Sequence, residues 1–173
     1  GYVQTYLERD LRQLSQIDNL SDFRRVMIAA ALRCGQVLNI SDLGRDISVK
    51  QPTAHRYLNI LEVSELIDKL AAYTSNRGLR LVKSPKLIWK DSGLASHLAG
   101  HFSPKDLAES REWGGILEAF VYTQLRQSAN LLTPQPKIYY WRTRNQQAVD
   151  FVLEQGKKLI PIEVKSSTKI GYR

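Results

Sequence analysis

The chain contains 173 residues, of which 43% are hydrophobic and 24% charged, and it carries a net charge of +8. The length fits one mid-sized domain or two small ones, and the composition excludes disordered, collagen-like and low-complexity proteins. Because Cys34 is the only cysteine, an internal disulfide and a four-cysteine zinc site are also excluded. No apolar run reaches the roughly 18 residues of a membrane span, and residues 1–4 do not begin a signal peptide, so we expect a cytoplasmic protein without a membrane partner.

The positive charge is concentrated in the middle of the chain. Six basic residues and no acidic residue lie between Lys69 and Lys90, both included. A basic stretch of this kind suits a polyanion, and nucleic acid is the usual one, so the charge favours a DNA-binding protein. The alternative is a solvated basic surface on a protein that binds no nucleic acid.

Two helices are predicted at the start of the chain. The first covers residues 2–17, where apolar side chains recur at helical spacing. The second begins after a Ser21 N-cap and runs to about Cys34, because Gly35 is a natural helix end. The N-terminal part of the chain is therefore expected to be helical.

A helix-turn-helix is predicted next. A short helix over residues 42–47, capped by Ser41, precedes a tight turn at residues 48–49 and a second helix from Pro52 to about Glu62. The outward positions of the second helix carry donors and acceptors suited to base edges and phosphates, namely Lys50, Gln51, Thr53, His55, Arg56 and Asn59. The alternative is a three-helix packing unit whose polar face binds only protein.

The following segment predicts the basic hairpin of a winged helix. Strand-like sequence covers residues 66–73, 79–82 and 87–89, and a turn-rich tip covers residues 74–78. The side chains expected beside the backbone of double-stranded DNA, where they would position the protein without reading its sequence, are Lys69, Arg77, Arg80 and Lys83. The alternative is a winged helix used to dock a protein.

A second unit is predicted after a boundary near residue 93. A short helix over residues 94–98 and a loop lead to a helix from Trp113 to about Gln127. Three strands follow, over residues 137–142, 148–154 and 159–165. The fold class is therefore mixed α+β or α/β, with an α-β-β-β unit over residues 94–173 after a helical unit over residues 1–93.

Four residues of this second unit predict a metal-dependent active site. Asp150 lies inside an apolar strand, and Glu163 and Lys165 share a face of the next strand because they are two residues apart. Asp150 and Glu163 could hold Mg²⁺ or Mn²⁺, Lys165 could orient or deprotonate water, and Glu118 could complete the site. The alternatives are an ion pair between the carboxylates and Lys165, or a Glu–Lys surface on an exposed sheet edge.

Short stretches along nearly the whole chain carry a resemblance to a known family. They are Tyr6-Leu7-Glu8-Arg9-Asp10, Lys83-Ser84-Pro85-Lys86-Leu87, Asp91-Ser92-Gly93-Leu94, Leu117-Glu118-Ala119-Phe120-Val121, Tyr140-Trp141-Arg142, Val149-Asp150-Phe151-Val152 and Ile162-Glu163-Val164-Lys165. In these stretches the chain resembles the C-terminal region of predicted bacterial and archaeal AAA-type ATPases, which is catalogued as a domain of unknown function. Its second unit resembles the PD-(D/E)xK, restriction-endonuclease-like fold.

The resemblance implies a linking helix and winged helix over residues 1–93 and a nuclease-like domain over residues 94–173. It also places Glu118, Asp150, Glu163 and Lys165 at the active-site positions of the nuclease family. Two departures make the motif degenerate, because Ala148 stands where the family often has glutamate and Val149 replaces the proline of the namesake motif.

The chain lacks a G-x-x-x-x-G-K-[S/T] phosphate loop, so we expect no ATPase activity from it alone. By the resemblance, an ATPase module of the same full-length protein would precede Gly1, and the nuclease-like fold would continue beyond Arg173. A truncated sheet would expose an edge strand, so we expect a tendency to form homo-oligomers.

Three function hypotheses follow from the sequence. The first is a Mg²⁺-dependent DNA nuclease coupled to an ATPase. The second is a DNA-binding or regulatory module that keeps the nuclease-like fold as a scaffold without catalysis. The third is a protein-interaction module of the ATPase, and fold alone does not distinguish these three.

Overall fold

The computed structural model describes residues 17–143, 145 and 147–166, so the predicted helix over residues 2–17 lies outside the described residues except for its last position. Within them the chain forms a mixed α/β structure with small antiparallel sheets. None of the described helices is long and apolar enough to cross a membrane. The helices are α1 (Leu20–Ala31), α2 (Ile40–Asp46), α3 (Gln51–Val63), α4 (Arg77–Val82), α5 (Ser92–Leu98), α6 (Pro104–Ala108) and α7 (Trp113–Asn130). The strands are β1 (Ile67–Leu70), β2 (Lys86–Trp89), β3 (Lys137–Arg142), β4 (Ala148–Gln155) and β5 (Lys158–Ile162).

Helices α1 and α2 confirm two of the predicted helices, but each begins at an asparagine. The Asn19 side chain accepts a hydrogen bond from the backbone N–H of Asp22 at 3.1 Å, and Asn39 caps α2 in the same way. The predicted caps, Ser21 and Ser41, lie inside the helices instead. Asparagine caps a helix as well as serine does, and here it comes first in the chain, so it satisfies the free N–H groups of the first turn.

A tight turn over residues 47–50 joins α2 to α3. Ser48 adopts a φ of 55°, and the Val49 N–H donates to the Gly44 carbonyl at 2.8 Å. Glycine is required at position 44 because a Cβ there would lie 2.6 Å from the Val49 carbonyl oxygen. The turn holds α3 against α2 and directs its predicted apolar face into the core, with Ala54, Tyr57, Leu58 and Leu61 buried.

The segment predicted as a basic hairpin contains a helix. Strands β1 and β2 pair antiparallel, as expected. The prediction of a strand over residues 79–82 is wrong, because these residues belong to α4. The Asn76 side chain starts this helix by accepting a hydrogen bond from the Gly78 N–H at 3.0 Å, and a local cap of this kind overrides the strand propensity of the neighbouring apolar residues.

The second unit consists of α5, α6, α7 and an antiparallel sheet in the order β3-β4-β5. Helix α7 and strands β3 and β4 confirm the prediction within three residues at each end, whereas α6 was not predicted. The predicted extension of β5 to Lys165 is wrong, because the strand ends at Ile162. Beyond that point the backbone N–H of Val164 donates to the Asp150 carboxylate at 2.8 Å instead of continuing the strand ladder.

The hydrophobic core is continuous across the predicted boundary at residue 93. One buried cluster extends from Phe23 in α1 through Trp89 in β2 to Phe151 in β4. Backbone hydrogen bonding also crosses the boundary, since the Tyr73 N–H donates to the Tyr140 carbonyl at 2.6 Å. The two predicted units therefore share buried side chains and main-chain contacts.

Two glycines allow backbone to pack on backbone between the end of the α1 segment and the start of α7. Gly35 has a φ of 76°, and a Cβ at this position would lie 2.5 Å from the Gly115 Cα atom. A Cβ at Gly115 would overlap the carbonyl oxygen of Cys34. Because neither neighbour is the end of a flexible side chain, a larger residue would force the two segments apart.

We expect Gly115→Ala to lower the free energy of unfolding by about 2 kcal/mol or more, because the added methyl group meets fixed backbone. Urea denaturation followed by circular dichroism measures this change. The matched control is Gly114→Ala, since a Cβ at Gly114 meets no atom within 4 Å. An equal loss of stability in both variants would contradict the proposed close contact.

Candidate functional site

The exposed side of α3 carries the side chains predicted to contact DNA bases, and we call these six residues the α3 surface. Four of them are exposed and two are partly buried: Lys50, Gln51, His55 and Arg56 in the first group, Thr53 and Asn59 in the second. Arg56 forms an exposed ion pair with Asp18 at 2.6 Å. Because exposed ion pairs contribute little free energy, this contact leaves Arg56 available to an anionic ligand.

The N-terminus of α3 presents an environment that favours negative charge. The N-cap residue Lys50 makes no side-chain hydrogen bond to the helix, and the first turn contains no acidic residue. Free backbone N–H groups and the helix dipole both favour anions at such an end. The exposed side of α3 is therefore polar and electropositive where the helix begins.

Arg80 does not lie on an exposed wing. Its guanidinium donates to the two carboxylate oxygens of Glu154 at 2.7 and 3.0 Å and to the Tyr139 hydroxyl at 3.0 Å. It also lies 4.6 Å from the ring centroid of Tyr73, and its side chain is only 9% exposed. Because Tyr139 belongs to β3 and Glu154 to β4, Arg80 fastens α4 to the three-stranded sheet.

The remaining predicted wing residues differ in their surroundings. Lys69 Nζ lies 2.6 Å from the Asn59 side-chain oxygen and 2.8 Å from the Glu62 carboxylate, so its ammonium group is bound to α3. Lys83 is exposed beyond the end of α4, and the side chain of Arg77 lies outside the described part of the structure. Lys83 is thus the wing residue that the described structure presents to solvent.

Two of the predicted catalytic residues, Glu118 and Asp150, lie together around a lysine. Lys86 Nζ is 2.7 Å from Glu118 Oε2 and 3.8 Å from Asp150 Oδ1. The three side chains are 10%, 19% and 16% exposed, respectively, and they come from β2, α7 and β4. We call this arrangement the Lys86 cluster (Lys86, Glu118 and Asp150).

Burial shapes the electrostatics of the Lys86 cluster. Desolvation raises the pKa of Glu118, the Lys86 ammonium opposes this rise, and the neighbouring Asp150 carboxylate adds to it. Asp150 also accepts the backbone N–H of Val164, which fixes one of its oxygens. Lys86 is therefore the internal cation that makes two nearby, largely buried carboxylates tolerable.

The other two predicted catalytic residues lie on the surface. Glu163 and Lys165 follow β5, and their side chains are 44% and 56% exposed. Lys165 Nζ lies 2.8 Å from the Glu163 carboxylate. The expectation that both would share one face of a strand is wrong, because the strand ends before either residue.

The arrangement does not fit a resident Mg²⁺ or Mn²⁺ ion. Glu118 and Asp150 supply the oxygen ligands that such ions prefer, but the Lys86 ammonium already lies against both carboxylates. Across residues 17–143, 145 and 147–166, moreover, no group of three or more acidic, histidine or cysteine side chains could hold a metal ion. The predicted ligand Glu163 pairs with Lys165 instead.

Sequence reasoning identified Glu118 and Asp150 but did not assign a role to Lys86. The available signal was a lysine at the start of the fully buried strand β2. A lysine in a buried strand needs an acidic partner, and the sequence predicts carboxylates that need a cation in the second unit. Nothing local in the sequence shows that these partners are 32 residues or more away along the chain.

A second polar cluster, also missed from the sequence, surrounds Asp68 on β1. Asp68 accepts a hydrogen bond from the Tyr122 hydroxyl at 2.9 Å, lies 3.2 Å from Lys90 Nζ, and forms an ion pair with Arg126. Desolvation, followed by the Asp68 charge, raises the pKa of Tyr122, so its hydroxyl stays protonated and donates. This cluster is a further polar contact between the two predicted units, in addition to those of Arg80 and Lys86.

Comparison with known proteins finds two family models that match parts of the chain. The model of a domain of unknown function, DUF8612, matches residues 1–105, and that of another, DUF4143, matches residues 113–173. The second domain is typically found in AAA-ATPase-associated proteins. Uncharacterized proteins of Mycobacterium tuberculosis and Mycobacterium bovis are each 34% identical over 168 residues, covering 97% of this chain but 37% of each relative. No solved structure matches the sequence.

We expect Lys86→Met to lower the free energy of unfolding at pH 7 by about 3 kcal/mol, because it leaves two largely buried carboxylates without a cation. Thermal or urea denaturation measures the loss. The matched control is Lys83→Met, which removes the same charge from an exposed position and is expected to change stability by less than about 0.5 kcal/mol.

The loss caused by Lys86→Met should shrink as the pH falls. Burial already raises the pKa of Glu118 above its ordinary value of 4.5, and removal of Lys86 raises it further. At pH values between 4.5 and the raised pKa of Glu118, the folded variant then binds more protons than its unfolded state. The stability of the variant therefore increases as the pH is lowered toward 4.5. A deficit that is the same at pH 7 and pH 5 would contradict the assignment of Lys86 as counter-ion.

Proposed function

The chain belongs to the family described as a domain of unknown function, DUF8612, and we propose that it is the DNA-binding part of a longer AAA-ATPase-associated protein. In this proposal residues 17–93 form a winged helix that binds double-stranded DNA. The following unit is a PD-(D/E)xK-like scaffold that packs against the winged helix. The scaffold holds no catalytic metal.

The proposal rests on one observation, that α3 has a buried apolar side and an exposed polar side. One side is buried against α1 and α2, whereas the α3 surface exposes Lys50, Gln51, His55 and Arg56. A second helix of a helix-turn-helix reads DNA through side chains near its N-terminus, and this is where these residues lie. Strand β1 follows α3 directly and pairs with β2, which comes after α4, and a strand pair after the second helix is typical of a winged helix.

The Lys86 cluster supports a scaffold rather than an enzyme. A metal-dependent phosphodiesterase needs a cation between its carboxylates to polarise phosphate and activate water. In this chain the Lys86 ammonium lies against both Glu118 and Asp150. A lysine neutralises the carboxylates but provides no open coordination site, so the same residues stabilise the fold without performing hydrolysis.

Two findings support a role within a larger ATPase-associated protein. The DUF4143 match covers residues 113–173, and the chain spans 37% of the length of the curated relatives that it resembles. The chain itself has no phosphate-loop motif. We therefore propose that nucleotide hydrolysis resides elsewhere in the full-length protein, and that the present chain supplies DNA contact.

Substitution of the α3 surface should weaken DNA binding. We expect Lys50→Ala and Arg56→Ala each to reduce affinity for duplex DNA about tenfold, and Lys50→Ala to lower the slope of log K against log salt concentration by about one. Fluorescence anisotropy with a labelled duplex at several salt concentrations measures both quantities. Both residues are exposed, so neither change should affect folding.

The control for this experiment is Lys105→Ala, an exposed lysine on α6 with the same charge. It should reduce DNA affinity by no more than about twofold, through net charge alone. If Lys50→Ala and Arg56→Ala behave like this control, the α3 surface does not bind DNA. Specific capture of a protein partner through the same face would then favour the protein-interaction hypothesis.

A metal-dependent DNA nuclease is the second candidate function, and the closeness of Glu118 and Asp150 favours it. The two carboxylates come from separate elements, α7 and β4, yet both contact the same ammonium group. Two neighbouring carboxylates supply some of the oxygen ligands that a hard divalent cation requires. An active enzyme would have to move Lys86 away from them before a metal could bind.

Plasmid cleavage distinguishes the two candidates. Under the scaffold proposal, supercoiled plasmid stays intact with wild-type protein in Mg²⁺ or Mn²⁺, while the same protein still shifts DNA in a gel. Nicking that requires metal and disappears in Asp150→Asn would establish the nuclease instead. Lys86→Met serves as the third arm, because it removes the competing cation and would increase metal binding at Glu118 and Asp150 if the residues can act as ligands.

A further inference from the structure

A cavity of about 600 Å³ lies beside α1, away from the Lys86 cluster and the α3 surface. Three arginines line it: Arg25 in α1, Arg33 just beyond the C-terminal end of α1, and Arg111 in the segment before α7. Its apolar walls include Ile28 of α1 and the C-cap residue Leu32, which lie between Arg25 and Arg33 in the sequence. We call this site the arginine cavity (Arg25, Ile28, Leu32, Arg33, Asp46 and Arg111).

Main-chain contacts hold Arg25 and Arg33 in place. Arg25 Nη1 donates to the Ile47 carbonyl at 2.8 Å, and Arg33 Nη1 donates to the Ala29 carbonyl at 3.1 Å. Each guanidinium has five N–H donors, so these contacts orient the groups without exhausting them. Arginines fixed in this way lose less conformational freedom when they bind an anion.

Each arginine of the cavity has an acidic partner, and Asp46 is the most exposed of the three partners. Arg33 forms an ion pair with Asp46, which is 54% exposed, and Arg25 forms one with Asp22. Arg111 pairs with Glu112 but is itself 85% exposed. Because the Asp46 carboxylate is exposed, its pair with Arg33 contributes little free energy, and an anion that contacts several arginines at once can displace it.

From these features we propose that the arginine cavity binds a small phosphate monoester with a planar or apolar organic group, of the size of a mononucleotide. The guanidinium forks match the geometry of phosphate oxygens, and the aliphatic side chains of Ile28 and Leu32 can cover the organic group. The cavity volume falls within the range of about 300–1,000 Å³ typical of small-molecule sites. This site is independent of the proposed DNA-binding function, because it includes no residue of the α3 surface.

Isothermal titration calorimetry with AMP tests the proposal on the full 173-residue chain. We expect saturable binding with a dissociation constant below about 1 mM, and binding of inorganic phosphate about tenfold weaker because it has no organic group to bury. Arg33→Gln should weaken AMP binding about tenfold through the loss of a charged hydrogen bond. No saturable binding of AMP would overturn the proposal.

The decisive comparison is between Arg33→Gln and Asp46→Asn. Both substitutions break the same ion pair, so a purely structural effect would change AMP affinity in the same direction. The proposal requires opposite directions, because Asp46→Asn removes the competing carboxylate and should strengthen AMP binding about threefold or more. A change in the same direction for both variants would overturn the proposal.

Two further arms complete the design. Arg45→Gln removes a 74% exposed arginine that does not line the cavity, and it should alter AMP affinity by less than about twofold. Duplex DNA is the other source of phosphate, and Arg33→Gln should leave DNA affinity within about twofold of wild type. A large loss of DNA affinity together with absent AMP binding would instead assign these arginines to the DNA backbone and overturn the small-ligand proposal.

Discussion

The contact of Lys86 with Glu118 and Asp150 is the constraint around which the two halves of the structure are organised. Each side chain is at most one-fifth exposed, and the three come from β2, α7 and β4. A charge held in such surroundings without a partner is costly, so each element depends on the other two to complete the cluster. The continuous hydrophobic core includes residues of the same three elements, and the contact between Gly35 and Gly115 packs α7 against the segment after α1.

The same principle accounts for much of the basic stretch between residues 69 and 90. Lys69, Arg80 and Lys90 each have an acidic partner within the chain, in addition to Lys86. These four cations therefore neutralise carboxylates of the fold, and two of them, Arg80 and Lys86, do so across the predicted domain boundary. The positive charge of this stretch is mostly used to hold the molecule together, and the proposed DNA contact rests on α3 instead.

The carboxylates of the Lys86 cluster would need a cation whether the unit is a non-catalytic scaffold or a metal-dependent enzyme. Two carboxylates near each other need a cation, and either a divalent metal or a lysine can meet that need. A metal would bring a coordination site for water and phosphate, whereas a lysine fills the same region with a fixed side chain. The choice between the two candidate functions therefore depends on the position of one ammonium group.

Periodicity in the sequence was sufficient for α1, α2, α3, α7, β1, β2, β3 and β4, because the pattern of buried side chains is a local property. It also identified Glu118 and Asp150, since an acidic residue in an apolar element needs a partner. The sequence patterns predicted neither α4 nor the end of β5. They also gave no role to Lys86 and placed Glu163 and Lys165 in β5. Helix α4 follows from the local Asn76 cap, which the strand assignment overlooked. The role of Lys86 depends on a contact with Glu118, 32 residues away along the chain, which only the folded chain creates. The sequence thus determined which segments are helical or extended, and the tertiary structure decided which charges meet.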